Sequence, residues 1–110
     1  MQQKGLLSVI VPFYNAQDTI QNCLDSILKS CRGIPAEVIC IDDGSVDDSR
    51  AIVEQQYVKG TKNVRLVSHQ KNEGLFQARL TALRDVRGEY IGFVDSDDYV
   101  NLFFFVIYIV

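Results

Sequence analysis

Apolar positions along this chain fall into two alternating rhythms. Residues 6–11 form a continuous apolar run broken only by Ser8. A run apolar on both faces reads as a central parallel strand, which Pro12 is expected to end. Ile20, Cys23, Leu24, Ile27 and Leu28 then recur at i, i+3, i+4, i+7 and i+8, the stripe of an amphipathic helix. Asp18 or Thr19 is placed to cap it, and Gly33 and Pro35 stop it. Residues 37–41 are a second buried run, ending in Asp42-Asp43-Gly44-Ser45. Ser45 and Asp48 stand at capping-box spacing, predicting a helix to about Tyr57 with Ala51, Ile52, Val53 and Tyr57 turned inward. Gly60 breaks it, and residues 64–67 predict a short third strand. After a loop over 69–74, a helix is expected over 75–86 with Leu75, Ala78, Ala82, Leu83 and Val86 inward, closed by Gly88. Residues 90–94 form the fourth strand. The predicted order is βαβαβαβ, an α/β fold with one parallel sheet and right-handed crossovers.

Composition narrows the class. At 110 residues the chain fits one small domain, and 47% hydrophobic content marks it as globular rather than disordered. A net charge of −3 argues against a nucleic-acid surface. The three cysteines lack CxxC spacing, and Cys23 and Cys40 sit in apolar patterns, so buried thiols in a reducing compartment are expected. The opening MQQKGLLSVIVPFYN does not read as a signal peptide. The cytoplasm is the expected location, with the inner membrane face left open by the tail. That tail, residues 102–110, is nine apolar residues, too few to span a bilayer.

Chemistry concentrates at the predicted strand ends. Tyr14 and Asn15, Asp42 and Asp43, residues 69–72, and Asp95, Asp97 and Asp98 would all lie along one edge of a parallel sheet, where open α/β folds bind ligands. The fourth cluster, in YIGFVDSDD, carries three carboxylates within four positions. Two readings stand: a divalent metal carrying a diphosphate, or a solvated acidic turn. An extended chain would put Asp95 and Asp97 on one face. Neither GxGxxG nor GxxxxGK[ST] is present, so the dinucleotide and P-loop readings fail.

The segments SVIVPFYNA, EVICIDDGSVDDS, NEGLFQAR and GEYIGFVDSDD, in that order and spacing, resemble the family 2 glycosyltransferases of the GT-A fold. The resemblance covers residues 7–100. It implies a three-layer Rossmann-like parallel sheet, truncated, with residues 1–101 as a partial donor-binding domain and 102–110 as an atypical apolar tail. It implies inverting transfer of a sugar from a nucleotide diphosphate donor, expected to be a UDP-sugar, to a saccharide or lipid-linked acceptor. By the same resemblance Pro12, Tyr14 and Asn15 line the base and ribose. Asp43 accepts from the uracil N3–H, and Asp42 orients its loop. Gly74 and Arg79 match the family's glycine and arginine, with Arg79 toward base or diphosphate. Asp95, Ser96 and Asp97 match the DxD signature. Asp97 and Asp98 would share ribose contact and ligation of Mn²⁺ or Mg²⁺.

The chain also departs from the family pattern. Leu80 stands where asparagine is usual, and full GT-A enzymes are at least twice as long. The acceptor half and its general base are therefore expected beyond residue 110. His69 and Lys71 read as structural and solvated, respectively, not catalytic. Three functions remain open: a transferase, a nucleotide-sugar-binding module without transfer, and an interaction or peripheral membrane module built on the tail.

Overall fold

The computed structural model describes residues 3–97 and the short strand 107–109. Five strands form one sheet: β1 (Gln3–Phe13), β2 (Ala36–Asp42), β3 (Val64–Ser68), β4 (Gly88–Phe93) and β5 (Ile107–Ile109), in the spatial order β3-β2-β1-β4-β5. β1 through β4 are mutually parallel, and β5 runs antiparallel along the outer edge of β4, with Gly92 opposite Ile107. Helices α1 (Ile20–Ser30), α2 (Ser49–Val53) and α3 (Leu75–Leu83) complete the fold, α2 continuing through a π-type turn over Glu54–Val58. The chain steps outward from β1 to β2 to β3 and then returns to the other side of β1 for β4. The strand order therefore reverses between β1 and β4, the place where such sheets open a crevice.

Side-chain alternation sorts the core into two layers. Val9, Val11 and Phe13 of β1 meet Val38 and Cys40 of β2 and the α1 stripe Ile20, Cys23, Leu24 and Ile27 on one face. Ile10, Ile39, Ile41 and Ile91 face the other way, against Ala78 and Ala82 of α3. All three cysteines are buried, and burial pushes the Cys40 thiol far above its ordinary range. No helix among the described residues is long and apolar enough to cross a membrane.

Several sequence expectations need correction. Pro12 lies inside β1 rather than after it. It pairs with Ile41 of β2, while bonding to the β4 side ends where the Val94 N–H donates to the Ile10 carbonyl. Alternate residues turn their N–H toward opposite neighbours, so the donor that Pro12 lacks falls on the side where the ladder has finished. Gly88 opens β4 instead of closing α3. A Cβ there would stand 2.6 Å from the Leu6 carbonyl oxygen, and its N–H donates to Ser8 Oγ at 2.8 Å. The capping box at Ser45 and Asp48 does not form: α2 starts at Ser49, and Ser45 serves the loop before it. Ala51 is exposed, as are Leu75 and Leu83: α2 buries only Ser49 and Val53, and α3, which ends at Leu83 rather than near residue 86, buries only Ala78 and Ala82. Of the tail, residues 107–109 are β5; residues 102–106 and 110 lie outside the described residues.

The lower edge of the sheet is held by one buried carboxylate. Glu37 accepts from Ser8 Oγ at 2.5 Å, from the Arg87 N–H at 2.8 Å, and from the Arg65 guanidinium, which also bonds Asp85. Burial alone would raise the Glu37 pKa, but these donors together hold it below the usual carboxylate range.

Candidate functional site

At the upper edge, the loops after β1, β2, β3 and β4 converge on a single cavity of about 640 Å³. Its wall includes Pro12, Tyr14 and Asn15 from the first loop, Asp43 from the second, Asn72 and Gly74 from the third, and Asp95, Ser96 and Asp97 from the fourth. Thr19, Leu75 and Ala78 also line it. The structure thus brings together seven residues singled out from the sequence: Pro12, Tyr14, Asn15, Asp43, Gly74, Asp95 and Asp97. Arg79 does not line the cavity. It stands behind the wall, its guanidinium 3.4 Å from Asp95 Oδ1 and 5.8 Å from the centre of the Phe93 ring. Asp98 lies outside the described residues.

The loops are clasped to one another by side chains. Asn15 adopts a left-handed backbone, φ 49°, which asparagine tolerates better than most residues. Its Oδ1 accepts from the Val46 N–H at 2.9 Å, and its own N–H donates to Ser45 Oγ at 2.9 Å. Asp42 Oδ1 accepts from the Ser45 N–H at 2.8 Å, so Asp42 does orient the second loop. Tyr14, by contrast, presents its ring to solvent at the cavity mouth, 47% exposed.

Asp43 is the most heavily bonded group in the site. Its side chain is buried, with Oδ1 accepting from His69 Nδ1 at 2.9 Å and from the Glu73 N–H at 2.8 Å, and Oδ2 accepting from the Gly74 N–H at 3.0 Å. Burial alone would raise its pKa; the bonds from Glu73, His69 and Gly74 outweigh that and hold the carboxyl below the usual range. Gly74 reaches this bond at φ 96°, a conformation that excludes side chains. Gly44 is crowded as well as left-handed (φ 79°), with a Cβ placed 2.6 Å from the Asn72 nitrogen.

His69 is the residue sequence reasoning passed over. Its side chain is only 8% exposed, and its Nε2 lies 2.8 Å from Thr81 Oγ1. The available signal was its position at a strand end opposite an acidic pair, which a lone histidine does not make specific. Asn72, Leu75 and Ser96 stand inside the segments that carry the family resemblance and Thr19 was read as a helix cap, but none of the four was given a donor-binding role of its own.

The fourth loop turns at Ser96 and Asp97 rather than staying extended, so Asp95 and Asp97 are not fixed on a common strand face. Both carboxylates are exposed at the cavity. Among the described residues, no three His, Cys, Asp or Glu side chains cluster as a self-sufficient metal cage. Hard, exposed oxygens at a cavity wall are nonetheless the donor set suited to an octahedral cation that takes one or two carboxylates and completes its shell with phosphate and water.

A profile described as glycosyl transferase family 2 matches residues 8–102. An uncharacterised glycosyltransferase of Bacillus subtilis, EpsJ, is 45% identical over 96 residues, covering 87% of this chain and 27% of that protein. S. aureus TarS (residues 1–349), solved in complex with UDP-GlcNAc, superposes with a TM-score of 0.76 at 35% identity, over 93% of this chain and 28% of that one. The mannosyltransferase PcManGT of Pyrobaculum calidifontis, solved with GDP-Man and Mn²⁺, gives 0.77 at 30% identity, over 84% and 28%. This chain therefore spans about a quarter of the length of each of these three proteins.

Proposed function

This chain belongs to glycosyl transferase family 2 and has the GT-A fold, and from that premise we propose that it binds a nucleotide-diphosphate sugar, a UDP-sugar in the first instance, as the donor half of an inverting transferase. The observation that carries the proposal is the convergence of four strand-end loops on one cavity at the point where strand order reverses.

The residues divide the donor between them. The exposed Tyr14 ring offers a stacking face for the base, a contact of about 1–3 kcal/mol. Pro12 and Asn15 fix the first loop's path beside the ribose, and Asp43 offers an acceptor to a base N–H. Asp97, together with Asp98, suits a Mn²⁺ or Mg²⁺ ion, and Asp95 the ribose or the same ion. When bound, that ion neutralises charge on the departing diphosphate. Arg79 holds Asp95 from behind the wall and stands one side chain from the same region, as a charge-assisted donor. Binding of a saccharide or lipid-linked acceptor, and the base that deprotonates it, are assigned to the length of the relatives that this chain does not span.

Titrating UDP into the chain in the presence of Mn²⁺ tests the assignment. Asp97→Ala should weaken binding about tenfold or more, the scale of one lost charge-assisted contact. Equal affinity in a folded Asp97→Ala protein would remove Asp97 from the site.

A further inference from the structure

Asp43 faces the cavity with an unequal pair of oxygens. An ionised carboxylate offers about four acceptor positions, two on each oxygen. Oδ1 already receives two donors, His69 Nδ1 and the Glu73 N–H, whereas Oδ2 receives only the Gly74 N–H. One acceptor position is left, and it is on Oδ2. His69 is fixed in this task from its far side, because Nε2 lies 2.8 Å from Thr81 Oγ1. Asp43 is acceptor-only when ionised, so Nδ1 must carry the proton. The Thr81 hydroxyl can donate to Nε2 of that tautomer, and it can accept if the ring becomes fully protonated. The Glu73 carboxylate, 3.7 Å from Nδ1, is the remaining charged group beside the ring.

Uracil and guanine, the bases of UDP and GDP, differ in what they ask of such a wall. Uracil presents a single N–H, at N3, flanked by two carbonyl acceptors. Guanine presents N1–H and the N2 amino group side by side, a pair that fills a carboxylate only when both oxygens are open. A carboxylate with one oxygen saturated satisfies the first and leaves one guanine donor unpaired in a buried contact.

We propose that His69 is a positioning residue that sets the base selectivity of the donor site: by occupying Asp43 Oδ1 it leaves one acceptor, which matches a uracil N–H and not the paired donors of guanine. The proposal rests on the reading of the cavity as a nucleotide-sugar site.

Two conservative replacements separate its terms. His69→Asn keeps an amide N–H near the Nδ1 position and gives up the Thr81 contact. His69→Gln places its amide near the Nε2 position, keeps the Thr81 contact and leaves Asp43 Oδ1 with one donor fewer. UDP and GDP affinities are measured by calorimetry with Mn²⁺ on the full chain, and thermal unfolding is followed alongside. The wild type and His69→Asn should share a preference for UDP, while His69→Gln should lower the UDP-to-GDP affinity ratio about tenfold, chiefly by gaining GDP affinity. A purely structural histidine would shift the unfolding temperature of both variants and leave the ratio alone; an unchanged ratio in His69→Gln overturns the proposal. Wild-type chain that binds neither nucleotide removes the nucleotide reading of the cavity and this proposal together. Wild-type chain that binds both while His69→Gln keeps its ratio removes only the role of His69.

Discussion

Replacing Gly44 by alanine should damage the site more than its small size suggests. Gly44 sits at φ 79°, and an added Cβ would fall 2.6 Å from the Asn72 nitrogen, 2.8 Å from Lys71 Cα and closer still to the Lys71 carbonyl carbon. All three are backbone atoms, so no side chain can swing aside. Ordinary contact distances require the third loop to retreat by about 1 Å. That loop is held by the Glu73 and Gly74 N–H bonds to Asp43, at 2.8 and 3.0 Å. A retreat of that size stretches both to about 4 Å, beyond hydrogen-bonding range. Strain from a side chain in the left-handed region adds roughly 1–2 kcal/mol. Taking each lost bond at about 1 kcal/mol after water replaces part of it, the total is about 3 kcal/mol or more. For a domain of this size that lowers the unfolding temperature by roughly 12–24 °C. Gly33 supplies the control: its φ is 76°, yet nothing lies within 4 Å of a Cβ there, so Gly33→Ala carries the backbone strain alone. Thermal unfolding of both variants by circular dichroism, with UDP titration of each, makes the comparison. If Gly44→Ala unfolds within a few degrees of Gly33→Ala, the third loop is not pinned against the second as described.

At the opposite edge of the sheet, Glu37→Ala should cost about 2–3 kcal/mol, because it leaves Ser8 Oγ and the Arg87 N–H without their acceptor while Arg65 keeps its bonds to Asp85. Urea unfolding measures this, and a loss below 1 kcal/mol would show that the cluster is dispensable. Acid should weaken the fold through Glu37, Asp43 and Asp47, whose carboxyls all lie below their ordinary range when folded. Groups with depressed folded values contribute their stabilisation fully above the unfolded pKa near 4 and lose it as pH falls through the folded value. Unfolding free energy should accordingly hold from pH 7 to 5 and decline below pH 4, and Glu37→Gln should flatten part of that decline. A profile with no drop between pH 5 and 3 would contradict the assignment of these bonds.

The fold was legible in the sequence wherever burial was unambiguous. The four parallel strands and the α1 stripe follow from apolar runs and helical spacing, since each of those residues has one side or both sides against the core. Boundaries were less legible where hydrogen bonding rather than burial decides them. Pro12 extends β1 because its missing donor meets no partner, and Gly88 joins β4 because Ser8 claims its N–H; neither fact is local to those residues. Ser45 carries the signature of a cap but is used by Asn15 and Asp42, two residues that fold brings beside it. The site follows the same division. Tyr14, Asp43, Asp95 and Asp97 stand out because carboxylates and an exposed aromatic at strand ends have few purely structural uses. His69 did not, because its meaning comes from Asp43 and Thr81, which lie 26 and 12 positions away in the chain. Arg79 was expected at the donor itself, and its place behind Asp95 depends on where α3 packs against the sheet.

The central claim, that this cavity binds a nucleotide diphosphate through a divalent metal, is tested most directly by calorimetric titration of UDP into the 110-residue chain in Mn²⁺ and again in excess EDTA. Binding in Mn²⁺ that weakens at least about tenfold with the chelator is the predicted result, since the diphosphate would then face Asp95 and Asp97 without an intervening cation. UDP affinity that is the same in both buffers, or absent from both, would contradict it.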